Sequence, residues 1–107
     1  MAIKHTIRYT RASTDTTWFS KYDGKSTDVD ALAAHIKSTY EDTNRISTLE
    51  TLYHADGEYM DVTRTFTNAD DKAAFLADGK VVEYRTECDA YNSANSITKN
   101  LTVVNVE

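Results

Sequence analysis

The chain predicts an α+β fold in the order βαββαβ: a four-stranded antiparallel sheet with its helices on one face. Three features carry this. A hairpin sits in the middle, running from Leu49 to His54, through Ala55-Asp56-Gly57-Glu58, and on from Tyr59 to Phe66. A helix-patterned segment stands on either side of it, and an alternating, strand-like run stands at each end of the chain.

Residues 2–10 form the first strand. Ile3, His5, Ile7 and Tyr9 share one parity, and Lys4, Thr6, Arg8 and Thr10 the other, as on a half-buried strand. Residues 11–26 are polar, with Trp18-Phe19 as an apolar island and Asp23-Gly24 as a turn signal. A helix starts at Thr27-Asp28-Val29-Asp30, where the Thr27 hydroxyl is placed to accept from the first free N–H groups and the aspartates suit the positive end of the dipole. Val29, Leu32, Ala33, Ile36 and Tyr40 then recur at helical spacing, and the helix ends near Thr43-Asn44.

In the hairpin, Asp56-Gly57 suits a two-residue type I′ turn. That turn sets Tyr53 opposite Met60, Thr51 opposite Val62 and Leu49 opposite Arg64 on the core face. His54/Tyr59, Leu52/Asp61 and Glu50/Thr63 fall on the other face, and a one-residue slip would exchange the two. A second helix start reads Thr67-Asn68-Ala69-Asp70-Asp71, and Gly79 breaks it from a following helical stretch with Val81, Tyr84, Arg85, Cys88 and Tyr91 on one face. Asn92 to Ser96 read as the stop, with Asn as the residue tolerant of positive φ. Residues 97–106 form the last strand.

The 107 residues suit one domain, expected to span 1–107. A net charge of −5 and the lack of any Lys/Arg run argue against nucleic acid as a partner. One cysteine, Cys88, excludes an internal disulfide. The N-terminus lacks the apolar core of a signal peptide and no run approaches a membrane span, so no membrane partner and a cytoplasmic location are expected.

Two β-α-β-like halves joined by a hairpin predict the ferredoxin-like arrangement. Right-handed crossovers put both helices on one sheet face. The reverse is then bare and is expected to show Leu52, His54 and Tyr59, with Val104 and Val106. Pairing two such faces about a two-fold axis predicts a homodimer with Leu52, His54 and Tyr59 as the candidate seam.

The layout from Phe66 through Ala74-Phe75 to Tyr84 and Tyr91, after an Asp-Gly hairpin, resembles the dimeric α/β-barrel superfamily, in particular proteins similar to antibiotic-biosynthesis monooxygenases. The resemblance implies, in enzymatic members, a small-molecule cavity between sheet and helices. Cofactor-free monooxygenases and haem-degrading enzymes are among those members. The haem degraders rely on an Asn, a Trp and a helical His around the cavity. Here the first strand has no Asn, Trp18 precedes the first helix, and the second helical region has no His. No catalytic residue is carried over, and no cofactor is expected.

The candidate cavity residues are His5, Tyr9, Trp18, Tyr53, Arg64 and Cys88. His5 shares a parity with Ile3 and Ile7 and so points inward, where the third strand brings Arg64 to the same face. A neutral imidazole beside an arginine suits a base or an anion site; the plainer alternative is a buried histidine bonded to backbone and an arginine reaching solvent. Cys88 on a core-facing stripe reads as a small buried hydrophobe rather than a nucleophile. His35 is expected on a solvent-facing flank, no His spacing suits a metal, and Asp70-Asp71 reads as helix N-terminal charge. Aromatic residues on a sheet can stack RNA bases, but the glycine-aromatic signature of such modules is absent.

Two functions follow as expectations. The first is a non-catalytic homodimeric domain for assembly or interaction. The second is a cofactor-free monooxygenase-like enzyme or small-molecule binder that uses the inner cavity.

Overall fold

The computed structural model describes residues 1–106. Its strands are β1 (Ala2–Arg11), β2 (Ile46–Tyr53), β3 (Tyr59–Phe66) and β4 (Ile97–Val106), and its helices are α1 (Val29–Ile36), α2 (Ala69–Ala77) and α3 (Gly79–Ala94). The sheet order is β2-β3-β1-β4 with every pairing antiparallel. This is the ferredoxin-like topology that the element order predicts. One turn of π-helix, Lys37–Glu41, extends α1, and Asn44 closes the segment at φ 62°.

The hairpin keeps its predicted register: Tyr53 pairs with Met60, Thr51 with Val62 and Leu49 with Arg64. The turn differs from the type I′ expectation. Only Gly57 has positive φ, at 78°. The Gly57 N–H donates to the His54 carbonyl at 2.9 Å, and the His54 N–H donates to Tyr59 at 3.0 Å, so four residues form the loop. The register survives because a four-residue loop leaves the same residues opposite each other as a two-residue loop inside it. Gly57→Ala is expected to cost about 1 kcal/mol, since an L side chain strains at this φ. The added Cβ would also meet the Arg11 guanidinium at 2.9 Å. A urea midpoint equal to that of the unmodified chain would refute this.

A bulge between Ile46 and Thr48 was not legible in the pattern. It inserts Ser47 and so turns Ile46, of even number, onto the same face as Leu49, Thr51 and Tyr53. There Ile46 joins Ile36, Tyr40, Phe66, Phe75 and Val81 in one core cluster, which ties α1 and its extension, β2, β3, α2 and α3 together. A second cluster of Trp18, Met60 and Ile97, with Tyr9, Val62 and Tyr91 against it, packs the polar loop onto the sheet. Both clusters lie on the sheet face that carries Ile7 and Tyr9, so the helices share one face.

Three local expectations are corrected. The cap of α1 is Asp28, whose Oδ1 accepts from the Ala31 N–H at 3.0 Å. Thr27 is drawn away by Glu87, which accepts from its N–H and hydroxyl at 3.0 and 2.6 Å and from those of Ser26 at 2.7 and 3.0 Å. The stop of α3 falls within Asn92 to Ser96 as expected, at Ala94 with Asn95 as the cap, but the positive φ, 58°, is on Ser96 and not on an Asn, and Asn92 is buried within the helix. His35 is half-buried and not free on an open flank: its Nε2 lies 2.7 Å from Asp78 Oδ2.

The reverse of the sheet is mainly polar, not greasy. β1 presents Lys4, Thr6, Arg8 and Thr10 there. The Arg8 Nε and Nη2 donate to the two Asp61 oxygens at 2.9 and 3.0 Å. Of the candidate seam residues, Leu52 is 60% exposed. Tyr59 is sandwiched between the His54 ring, stacked at 4.3 Å, and the Arg8 guanidinium at 3.9 Å. The physical reason is the parity of β1, whose outward residues are Lys, Thr, Arg and Thr. Exposed apolar side chains gather instead along β4, an edge strand, at Leu101, Val103 and Val104.

Candidate functional site

A cleft of about 450 Å³ opens between the sheet and the helices. Its floor is the inward side of the sheet, with Tyr9 from β1, Tyr53 from β2, and Met60, Val62 and Arg64 from β3. Alternation puts Met60, Val62 and Arg64 on one face. One wall is α1, where Val29, Leu32 and Ile36 recur at helical spacing. The opposite wall is α3, where Tyr84, Cys88 and Asn92 stack one turn apart. Trp18, Phe19 and Ser20 form the roof.

The roof is held by polar ties. The Arg11 Nε and Nη1 donate to the Gly57 and Thr16 carbonyls, both at 2.6 Å, while its guanidinium covers the Trp18 ring at 4.4 Å. The Tyr91 hydroxyl donates to the Thr17 carbonyl at 2.6 Å. At the mouth, the Ser20 and Tyr53 hydroxyls meet at 2.8 Å, and Lys21 Nζ lies 4.7 Å from the Tyr53 ring.

Five of the six candidate residues, Tyr9, Trp18, Tyr53, Arg64 and Cys88, line this one cleft. His5 is 3% exposed and does not line it. It stands opposite Arg64 in the strand pairing, with its ring edge-on to Phe66 at 6.1 Å. Burial, and then the nearby Arg64 charge, push its pKa down to about 4, so the imidazole is neutral at pH 7. Of the lining residues that the candidate set lacked, Tyr84 was on the predicted α3 face. Asn92 was hidden because it read as a helix stop, although its spacing of four from Cys88 was the available signal.

Inside the cleft Arg64 is the one cation, set among neutral groups, while the carboxylate that lines the cleft, Glu41, is on an exposed side chain. Burial pushes the Tyr84 hydroxyl up to about 12 and raises Tyr9 further. Burial also raises the Cys88 thiol, which donates to the Tyr9 hydroxyl at 4.0 Å and accepts from Asn92 Nδ2 at 3.4 Å. A neutral, doubly engaged thiol is a poor nucleophile. Arg64 is depressed by burial but stays cationic, because guanidinium does not lose its proton in proteins. Its Cζ lies 5.0 Å from the Phe75 ring. Among the described residues there is no cluster of three or more His, Cys, Asp or Glu side chains suited to hold a metal, and no helix is long and apolar enough to cross a membrane.

No protein-family model and no curated protein sequence matches the chain. Its likenesses are structural. Rv0793 from Mycobacterium tuberculosis aligns with a TM-score of 0.67 at 11% identity, over 100% of this chain and 96% of that one. SnoaB, a cofactor-independent oxygenase from Streptomyces nogalater, aligns at 0.61 and 12% identity, over 99% and 93%. A proposed antibiotic-biosynthesis monooxygenase from Caulobacter crescentus aligns at 0.67 and 10% identity, over 98% and 91%. What is shared at these identities is the fold, and it is the fold that the sequence resemblance implied.

Proposed function

We propose that this protein is a small-molecule binder of the monooxygenase-like kind, which takes a largely apolar ligand into the cleft between sheet and helices. The observation that carries this reading is the cleft itself. Its volume of about 450 Å³ falls in the range of small-molecule sites, and it is apolar with a few convergent polar groups. The neighbours of the same fold support this reading over a non-catalytic assembly domain.

The side chains limit the chemistry. The cleft walls offer the neutral Tyr9 and Tyr84 hydroxyls, a neutral thiol and one guanidinium, with Glu41 as the one carboxylate, on an exposed side chain. An oxygenase built this way would draw its electrons from the ligand. A ligand CH2 group that becomes a carbonyl gives four electrons to O2, with one oxygen atom entering the ligand and the other leaving as water. The roles of the protein would be to exclude solvent, to orient the ligand and to stabilise negative charge as it develops.

The neutral dye N-phenyl-1-naphthylamine, which brightens in apolar sites, is expected to bind at one site per chain. Ala33 lines the cleft on α1 and is exposed, so Ala33→Trp fills the space without disturbing the core. It is expected to weaken dye binding about tenfold, comparable to losing the burial of a few methylene groups. Undiminished dye binding by a folded Ala33→Trp chain would overturn the reading.

A homodimer draws on a separate observation, the apolar exposure of Leu101, Val103 and Val104 along edge strand β4. Sedimentation velocity is expected to show a species of twice the 12.0 kDa chain mass. A single 12.0 kDa species at every concentration would exclude it.

A further inference from the structure

Among the described residues, the buried side-chain nitrogen and oxygen atoms with no hydrogen-bond partner in the protein are His5 Nδ1 and Arg64 Nε. They are not scattered, because His5 and Arg64 are cross-strand partners. Buried polar groups are normally paired, and an orphaned one calls for an explanation. Arg64 as a whole is half-buried and lines the cleft, and a charge partly withdrawn from water without a counter-ion is costlier still.

Six ion pairs occur among the described residues, and Arg64 takes part in none of them. Glu41, the acidic side chain that lines the cleft, is exposed and makes no ion pair with it. The aromatic face of Phe75 at 5.0 Å offsets part of the charge but supplies no acceptor for the N–H groups. The charged groups felt at this end of the sheet add to the imbalance. Arg85 acts on Arg64, and Arg64, Lys72, Lys99 and Arg85 act on His5, all of them cations. A chain of net charge −5 thus keeps a positive centre in an apolar cleft.

We propose, resting on the small-molecule reading above, that the cleft selects a monoanionic organic acid with an apolar ring body, its delocalised oxyanion seated on the Arg64 guanidinium. The planar guanidinium fork matches a carboxylate or an enolate, whose two oxygen positions accept in one plane. The Tyr9 and Tyr84 hydroxyls, both lining the same cleft and neutral, are oriented groups that can donate to such an anion without repelling it. The apolar walls of α1 and the roof take the ring.

The test uses the isosteric pair 2-naphthoate and 2-naphthamide, each competed against bound N-phenyl-1-naphthylamine. The naphthoate is expected to displace the dye about tenfold or more tightly than the amide, the advantage of a charge-assisted fork over a neutral contact. Arg64→Met, which keeps the stem and removes the charge, is expected to bring the two within roughly twofold while dye binding persists. Arg64→Lys keeps the charge and loses the fork, so an intermediate preference is expected. If Arg64→Met does not fold, the ratio in the unmodified chain decides alone. Equal displacement by the two compounds with the dye bound would overturn the anion proposal and leave the small-molecule reading standing. Failure of the dye and of both naphthyl compounds to bind would overturn both.

Discussion

Replacing Phe66 with alanine is expected to destabilise the fold by about 3–5 kcal/mol, the range for truncating a buried phenylalanine. Phe66 is 0% exposed and Phe75 is 1% exposed, with ring centroids 5.4 Å apart. Phe66 stands opposite Ile3 on one side and Ile46 on the other, so its ring joins three strands to α2 through Phe75. Walls drawn from several elements cannot all collapse into one void, which puts the cost toward the upper end. Against typical domain stabilities of about 5–15 kcal/mol, this change alone brings the chain near its unfolding threshold. Urea denaturation followed by circular dichroism checks it. A loss below about 1 kcal/mol would show that the cluster closes over the gap and that the helices are not tied through this ring.

Acidification is expected to lower the stability of the fold in two stages. His5 is buried neutral, with its pKa lowered from 6.5 to about 4. The unfolded chain therefore takes up a proton before the folded one does, and stability declines from about pH 6.5 downward. Asp78 and Glu87 are both held down at about 2, against ordinary values of 3.8 and 4.5. Burial opposes this shift at Asp78, and hydrogen bonds from His35, Tyr40 and the backbone of Lys80 and Val81 outweigh it. At Glu87 the bonds from Thr27 and Ser26 dominate. The stability these carboxylates contribute is complete above their unfolded values and is lost as pH falls through about 2. Melting temperatures taken from neutral pH into the acid range are expected to fall first gently and then steeply. His5→Leu removes the upper stage.

Asp78→Ala is expected to cost about 2–3 kcal/mol at neutral pH and to flatten the lower stage. It removes the cap of α3 and leaves the Tyr40 hydroxyl, 2.7 Å from Asp78 Oδ2, with only the longer contact to the Ala74 carbonyl at 3.3 Å. A flat pH profile between neutrality and pH 5 in the unmodified chain would contradict the assignment of His5 as buried and neutral.

The parts of the fold that could be read from the chain are those encoded by nearest neighbours. Alternation in residues 2–10, helical spacing in Val29 to Tyr40 and the Asp-Gly hairpin each carry their own period, and the observed pairing of Leu49 with Arg64 follows from them. The misread parts depend on partners distant in the chain. Thr27 and Asp28 are both good caps; Glu87, sixty residues further on, occupies the first and leaves the second to cap. His35 looks exposed on its own helix because Asp78, forty-three residues away, is what covers it. The bulge at Ser47 has no local mark, yet it decides which way Ile46 points.

The candidate site followed the same rule. Parity placed Tyr9, Tyr53 and Arg64 on the inward face, and helical spacing added Cys88. Parity alone also brought in His5, and it could not tell that the cleft stops short of the first half of β1. The imbalance of charge at Arg64 was invisible in the sequence, because a missing counter-ion appears only once every neighbour is in place.

Trp18 is the single tryptophan of the chain. It is 5% exposed, lies in the roof of the cleft and sits under the Arg11 guanidinium. The protein therefore carries an optical reporter in the roof of the proposed binding cleft. Its indole emission senses the polarity directly beneath it, so titration of an unlabelled compound can be followed from the wavelength of the native chain.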